Sequence, residues 1–329
     1  MTRIAERIVV DKPQIGMARM TSRLGEEILK SPNLEIFYDN YYRDLTEFLV
    51  DCLSDPQVPL VLADDVVEYM YGREYLWEQK EIPPCLPPFP AVFIETTKPE
   101  RLTSIDGSWG ALFLRKEEVD SRQFIMPIGQ TENVEWVVEM IVLWVDNERN
   151  ILAYPLSFFF FFDSNGRIRW NSEGVIELAE DLALPPSLGV QRIKDDPEYE
   201  FTLASTLALA VPFFFTFGFM HCKNVQVAPQ EITRQVRRQI ERGKGVRYHV
   251  LDIEPMKRVL KTEGRQDEVG LKQAFHICRG HFKTYTEDSP LFGRYTGTWW
   301  WEAQARGDKT AGEVKKDYNV KLPAPDDTT

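Results

Sequence analysis

The sequence predicts an α+β protein with N-terminal helices, a mostly antiparallel sheet with a buried apolar helix, and a small C-terminal β-rich part preceded by a basic helix. Three observations carry this prediction. Leu34, Phe37, Tyr38, Tyr41, Leu45, Phe48, Leu49 and Leu53 recur at intervals of three and four, the period of an amphipathic helix. From Ala91 onward, short runs rich in β-branched and aromatic residues are separated by glycine, proline or charged turns, the pattern of successive strands. Residues 201–219 form one long apolar run that needs a sheet face to cover it.

Taken in order, the first helical pattern is broken at Pro56 and Pro59, and a second follows through Val66, Val67, Tyr69, Met70 and Leu76. A groove between these helices and the sheet would suit a basic or amphipathic peptide. The proline cluster from Pro83 to Pro90 cannot be regular helix and reads as a semi-rigid connector. Strands are expected at Ala91–Thr96, Trp109–Leu114, Phe124–Ile128, Val134–Val145 and Ser157–Phe162, the last closed by the turn residues Asp163-Ser164-Asn165-Gly166. Residues 173–183 read as a helix ended by Pro185 and Pro186.

The apolar run 201–219 is long enough to span a membrane. Thr202, Ser205, Thr206, Pro212 and Thr216 dilute it, however, and its basic flank is Lys223 alone, so it is assigned to the core and no membrane partner is expected. His221, at its end, reads as a hydrogen-bonding residue of the helix terminus.

Glu231–Arg242 is expected as a basic helix, with Ile232, Val236 and Ile240 on one stripe and Arg234, Arg237, Arg238 and Arg242 elsewhere. Gly243-Lys244-Gly245 ends it, as a hinge or cap. Residues 246–253 alternate as a strand, and a charged loop around 261–270 leads to a strand over Phe275–Tyr285. Further strands are expected at Leu291–Tyr295, Thr298–Ala305 and Val314–Leu322.

The Phe275–Tyr285 strand gathers two of the chain's four histidines. Strand alternation puts Arg279, His281, Lys283 and Tyr285 on one face and His276 and Cys278 on the other, unless a bulge at Gly280 turns His276 to the side of His281. Such a set suits phosphodiester chemistry without a metal: one histidine takes a ribose hydroxyl proton, a second histidine or Tyr285 protonates the leaving oxygen, and Arg279 and Lys283 hold the phosphate. The plain alternative is a solvated polar face. His276-x-Cys278-x-x-His281 matches no standard zinc spacing, so neither metal nor cofactor is expected. Arg234, Arg237, Arg238, Arg242 and Lys244 are candidate RNA contacts, with Arg306 as a further phosphate contact and Trp300 as a base-stacking ring or a core residue.

Composition sets the frame. Of 329 residues 43% are apolar and 27% charged, as in ordinary globular proteins, and the net charge of −12 argues against a generally cationic coat. The charge is unevenly spread, with 20 Lys and Arg against 36 Asp and Glu in residues 1–230 but 13 against 7 in residues 231–283. A basic island on an acidic chain is the footprint of a phosphate-bearing ligand, or of a basic helix docked on the protein's own acidic part. Cys52, Cys85, Cys222 and Cys278 lack disulfide spacing and favour a reducing cytoplasm. The expected division is a helical region 1–82, an α+β core 83–230, a basic β-rich domain 231–322 and a disordered tail 323–329.

His276-Ile277-Cys278-Arg279-Gly280-His281-Phe282, followed by the glycine- and aromatic-rich run Leu291–Trp301 and Arg306-Gly307, resembles the C-terminal signature of a set of phage and prophage proteins. It is similar also to the ending of the second family of type V-A anti-CRISPR proteins, where His276, Arg279, Gly280 and His281 coincide and Cys278 departs. The resemblance implies an anti-defence protein of the host-cell cytoplasm that recognises a nascent peptide, at the ribosome in one version, and promotes loss of the corresponding mRNA. A metal-independent ribonuclease or a docking surface would both fit. The alternative is a non-enzymatic inhibitor that sequesters a host or immune factor through its acidic surface.

Overall fold

The computed structural model describes residues 3–17, 32–71, 83–98, 108–116, 134–146, 148–153, 156–168, 178–182, 210–253, 274–278, 281–301, 304–306 and 308–313. The chain divides into two compact units, Met1–Asp252 and Ile253–Thr329.

In the first unit one mixed sheet contains β1 (Gly16–Met17), β2 (Leu60–Leu62), β3 (Ala91–Thr96), β4 (Trp109–Lys116), β5 (Trp136–Val145), β6 (Ile151–Ala153), β7 (Leu156–Phe162), β8 (Leu178–Leu182), β9 (Val225–Pro229) and β10 (His249–Ile253). The strand order is β1-β6-β5-β4-β3-β2-β10-β9, and β7 and β8 branch off beside β5. The centre, from β3 through β4 and β5 to β7 and β8, is antiparallel. β2 runs parallel to both β3 and β10, and β1 parallel to β6. β5 serves two partners along one edge, β7 through Trp136–Met140 and β6 through Leu143–Val145.

Strand alternation sends the two faces of this sheet into two apolar layers. Val92, Ile94, Ala111, Phe113, Val138, Met140, Phe158, Phe160 and Phe162 face helix α4 (residues 210–220), which inserts Phe213, Phe214 and Phe217 between them. The rings interlock, with Trp109 to Phe213 at 4.8 Å, Phe113 to Phe217 at 4.9 Å and Phe160 to Phe214 at 4.7 Å. Over 210–220 the apolar run is therefore the buried core helix that the sequence predicts, and among the described residues no helix is long and apolar enough to cross a membrane. On the opposite face, Phe93, Leu112, Ile141 and Leu143 pack against Ile4, Ala5 and Ile8 of α1 (Ile4–Asp11) and Tyr42, Leu45, Leu49 and Leu53 of α2 (Pro32–Ser54). Tyr42, Leu45, Leu49 and Leu53 of α2 are thus taken up by this sheet, while Phe48 of the same helix is 43% exposed.

The connector Pro83–Pro90 is irregular and is anchored at both ends of the core. Cys85 and Leu86 donate their N–H groups to the Gly166 carbonyl at 2.8 and 3.0 Å, and Leu86 O lies 2.6 Å from His221 Nε2. His221 thus ties the connector to the end of α4 instead of capping its own helix. Gly166, at φ +70°, ends the turn after β7, where Asp163 Oδ1 accepts from the N–H groups of Asn165 and Arg167. Burial pushes the thiols of Cys85 and Cys222 up to about 12, which keeps both protonated and unreactive.

The first turn of α1 is capped from outside its own sequence. Arg3 stands at the N-cap with no side-chain cap of its own. Instead Glu95 Oε2 from β3 accepts from Ile4 N at 2.7 Å, and the Tyr248 hydroxyl accepts from Glu6 N at 3.2 Å. Arg3 Nη2 turns to Asp64 Oδ2 at 2.9 Å, at the start of α3 (Asp64–Tyr71). These bonds satisfy N–H groups that every helix start leaves open.

Several expectations are corrected. Residues 178–182 form β8 instead of helix, because they complete the antiparallel ladder of the phenylalanine-rich β7 from Leu156↔Leu182 to Phe160↔Leu178, and sheet pairing overrides local helix preference. The Phe275–Tyr285 strand is two strands, β11 (Ala274–Cys278) and β12 (His281–Tyr285), in different sheets. Thr298–Ala305 likewise divides into β13 (Gly297–Trp301) and β14 (Gln304–Arg306), while Leu291 and Tyr295 bridge each other around a tight loop instead of forming a strand. Phe124–Ile128, the 261–270 loop, Val314–Leu322 and the tail 323–329 lie outside the described residues. The second unit also contains β15 (Asp308–Glu313), giving one sheet β14-β11-β15 and a hairpin β12-β13.

Candidate nucleic-acid interface

Of the residues singled out for phosphate chemistry, His281, Lys283 and Tyr285 lie on a hairpin of the second unit, and Arg234, Arg237, Arg238, Arg242 and Lys244 lie on and just after a helix of the first. In the second unit, β12 and β13 pair antiparallel from His281↔Trp301 to Tyr285↔Gly297. Directly opposed residues share a face. One face therefore carries His281, Lys283 and Tyr285 with Trp299 and Trp301; the other carries Phe282 on Trp300 at 4.7 Å and Thr284 bonded to Thr298 at 3.0 Å.

The connection folds back over the first face. Gly293 sits at φ +76°, and Leu291, Phe292 and Tyr295 join Tyr285 and Trp301 around the buried Trp299. Lys283 Nζ stands 4.8 Å from the Tyr285 ring centre and the Arg294 guanidinium 4.5 Å from that of Tyr295. His281 and Lys283 are exposed, and Tyr285, Phe292, Tyr295 and Trp301 are half-buried. The face is thus a rim of aromatic rings interleaved with cations, able to take a stacked base and its phosphate. Trp300 is 3% exposed, so its ring is used in packing against Phe282, whereas Trp301 keeps an accessible edge of the strand.

The proposed catalytic set is not brought onto one strand. His276 lies on β11, where its register partner is Arg306 of β14, while His281 lies on β12 in the other sheet. Arg279 lies outside the described residues. His281, Lys283 and Tyr285 are brought together, and His276 is brought opposite Arg306. Arg294 and Tyr295 were missed by sequence reasoning; the paired glycines Gly293 and Gly297 around them were the available signal for a loop that returns over the strand. Among the described residues no group of three or more His, Cys, Asp or Glu is placed to hold a metal ion.

In the first unit, α5 (Arg234–Glu241) has no buried residue. The Thr233 hydroxyl accepts from Val236 N at 3.3 Å to start it, and Gly243 at φ +68° ends it, its N–H bonded to Ile240 O. At 100° per residue, Arg234, Arg237, Arg238 and the C-cap Arg242 fall on one side, with Val236 and Ile240 opposite. Those four arginines and Lys244 are exposed, and among the described residues none of the five is in an ion pair. The spacing of Arg234, Arg238 and Arg242, about 6 Å along the axis from one to the next, is comparable to that of successive phosphates along an extended strand.

No protein family, curated protein or solved structure matches the chain. The resemblance carried by residues 276–307 therefore stands on those residues alone.

Proposed function

We propose that the protein is an RNA-engaging anti-defence factor of the host cytoplasm, similar in action to the anti-CRISPR proteins its C-terminal residues resemble. The observation that carries the RNA part is α5, an eight-residue helix whose three arginines and the C-cap Arg242 fall on one side and in which no residue is buried. A helix this short is marginal in water by itself, and with no residue fully buried it gains from a ligand that covers it. Its charge calls for a polyanion, and guanidinium groups favour phosphate oxygens through paired hydrogen bonds. The β12–β13 face of the second unit, taken by itself, carries rings beside cations, which suit a single strand. The reading rests on RNA binding and needs no two-histidine proton relay.

Peptide recognition, the other half of this reading, is supported on the solvent side of α2. Phe48 is 43% exposed there, with Asp44 and Asp51 one turn to either side and Asp55 beyond. An aromatic knob in an acidic stripe suits a basic amphipathic segment, and the same stripe would serve sequestration of a basic host factor.

Fluorescence anisotropy with a labelled single-stranded RNA tests the proposal. Replacing Arg234 and Arg238 by Gln should weaken binding about tenfold, at roughly 0.7 kcal/mol for each exposed contact. Equal affinity of the wild type and this variant would refute the role of α5.

A further inference from the structure

Among the described residues, Glu95 is the only carboxylate that is buried, at 1% exposure. It stands in mid-sheet with Leu62 and Gly110 as its register partners on β2 and β4, so neither flanking strand offers it a charge. It has no room to turn aside either. A Cβ at Gly110 would lie 2.8 Å from Glu95 Cβ and 2.7 Å from the Ile94 carbonyl, so the strand already fills the space around it. The side chain reaches upward to the first turn of α1, where Ile4 N donates to Oε2 at 2.7 Å.

The titratable and charged groups that face it come from three elements. The N-cap of α1 brings Arg3, α3 brings Asp64, and the residue before β10 is Tyr248, whose hydroxyl accepts from the backbone N–H of Glu6. Arg3 is the cation of the group, and it is already engaged: Nη2 bonds Asp64, and the guanidinium lies 5.5 Å from the Tyr248 ring centre. Against desolvation, hydrogen bonds from Thr97 N, Arg3 and Thr96 hold the Asp64 carboxyl below its usual range, so that charge is fixed. One guanidinium thus faces two carboxyls, the half-buried Asp64 and the fully buried Glu95, and a second negative charge on the buried side is poorly compensated. Oε1 of Glu95 and Nη1 of Arg3 are both buried without a hydrogen-bond partner.

We propose that Glu95, Tyr248 and the first turn of α1 form a proton-linked latch, in which loss of the Glu95 proton loosens the docking of α1 on the sheet. Burial pushes the Glu95 carboxyl up to about 7, with the Tyr248 hydroxyl, the N–H of Ile4, the charge of Arg3 and the N–H of Ala5 acting the other way. Burial and the Glu95 charge push the Tyr248 phenol up, so it remains a proton donor throughout. When the carboxylate ionises, lifting α1 is the movement that readmits water to it. Opening then becomes easier as pH rises through neutrality. The latch is independent of the RNA reading.

Hydrogen exchange of the Ile4–Asp11 amides in the full chain, with intrinsic exchange rates divided out, measures the opening directly. With a closed-state value of about 7 and an open-state value of 4.5, the opening constant should rise roughly tenfold between pH 6 and pH 8. Glu95→Gln keeps an acceptor for Ile4 N but cannot titrate, and its profile should be flat. Tyr248→Phe removes a donor to the carboxylate and should move the midpoint of the rise to higher pH. A flat wild-type profile, a Glu95→Gln profile that rises like the wild type, or an unshifted midpoint in Tyr248→Phe would each overturn the latch. If Glu95→Gln fails to fold, the Tyr248→Phe midpoint decides.

Discussion

Replacing Phe214 by alanine removes the ring at the centre of the α4 layer. Phe214 is 2% exposed and meets Phe160 at 4.7 Å, Phe113 and Phe162 at 6.1 Å, and Phe217 at 6.5 Å. Four surrounding rings from β4, β7 and α4 cannot all collapse into the vacated space, because each is held by its own strand or helix. The expected cost is therefore well within the range for such truncations, about 4 kcal/mol. For a unit of this size that lowers Tm by roughly 8–16 °C. Phe48→Ala, at a 43% exposed position, serves as the control and should change stability by no more than about 0.5 kcal/mol. Thermal unfolding followed by circular dichroism reads both. A Phe214→Ala loss below about 1 kcal/mol would show that α4 is not packed on the sheet as described.

Gly110→Ala should be among the most damaging small substitutions, since its Cβ would sit 2.7 Å from the Ile94 carbonyl and 2.8 Å from Glu95 Cβ; loss of several kcal/mol, or insoluble protein, is expected by expression and melting. Stability should also depend on pH through Glu95. Its folded value of about 7 lies above the ordinary 4.5, so its stabilising effect is full below 4.5, declines as pH rises toward 7 and is level above that, a change on the order of 3 kcal/mol. Glu95→Gln should remove that decline, as denaturant titrations between pH 5 and 8 would reveal. In the hairpin, Trp301→Ala should weaken single-stranded RNA binding by about 1–3 kcal/mol, whereas Trp300→Ala should lower stability, its ring being packed on Phe282.

Much of the first unit was legible because single segments declare themselves. The short apolar, β-branched run of Ala91–Thr96 between Pro90 and Pro99 located β3, and the apolar density of residues 210–219 in a strand-rich chain located the core helix. Short strands escaped. β1, β2 and β6 have two or three residues each, too few for a period, and exist because neighbouring strands complete them. β8 was hidden for a related reason, since Leu-Ala-Glu-Asp-Leu carries helix-forming residues and is extended by the edge of β7. The candidate site was half legible. Period-two alternation correctly grouped His281, Lys283 and Tyr285, but the same rule carried through residues 279 and 280 joined β11 to β12, which pair with different partners. The role of Glu95 could not be read locally, because its hydrogen-bond partner Ile4 is 91 residues away. A lone acid inside an apolar strand was the only signal.

The central claim, that α5 holds RNA by its arginine face, is tested most directly by the salt dependence of binding. Four phosphate contacts predict a slope of log K against log salt concentration of about −3 for a single strand from that surface alone. Replacing Arg234, Arg237, Arg238 and Arg242 together by Gln should remove that much of the wild-type slope while leaving the melting temperature within about 2 °C, since α5 buries nothing. A variant with the wild-type slope and affinity would contradict the account.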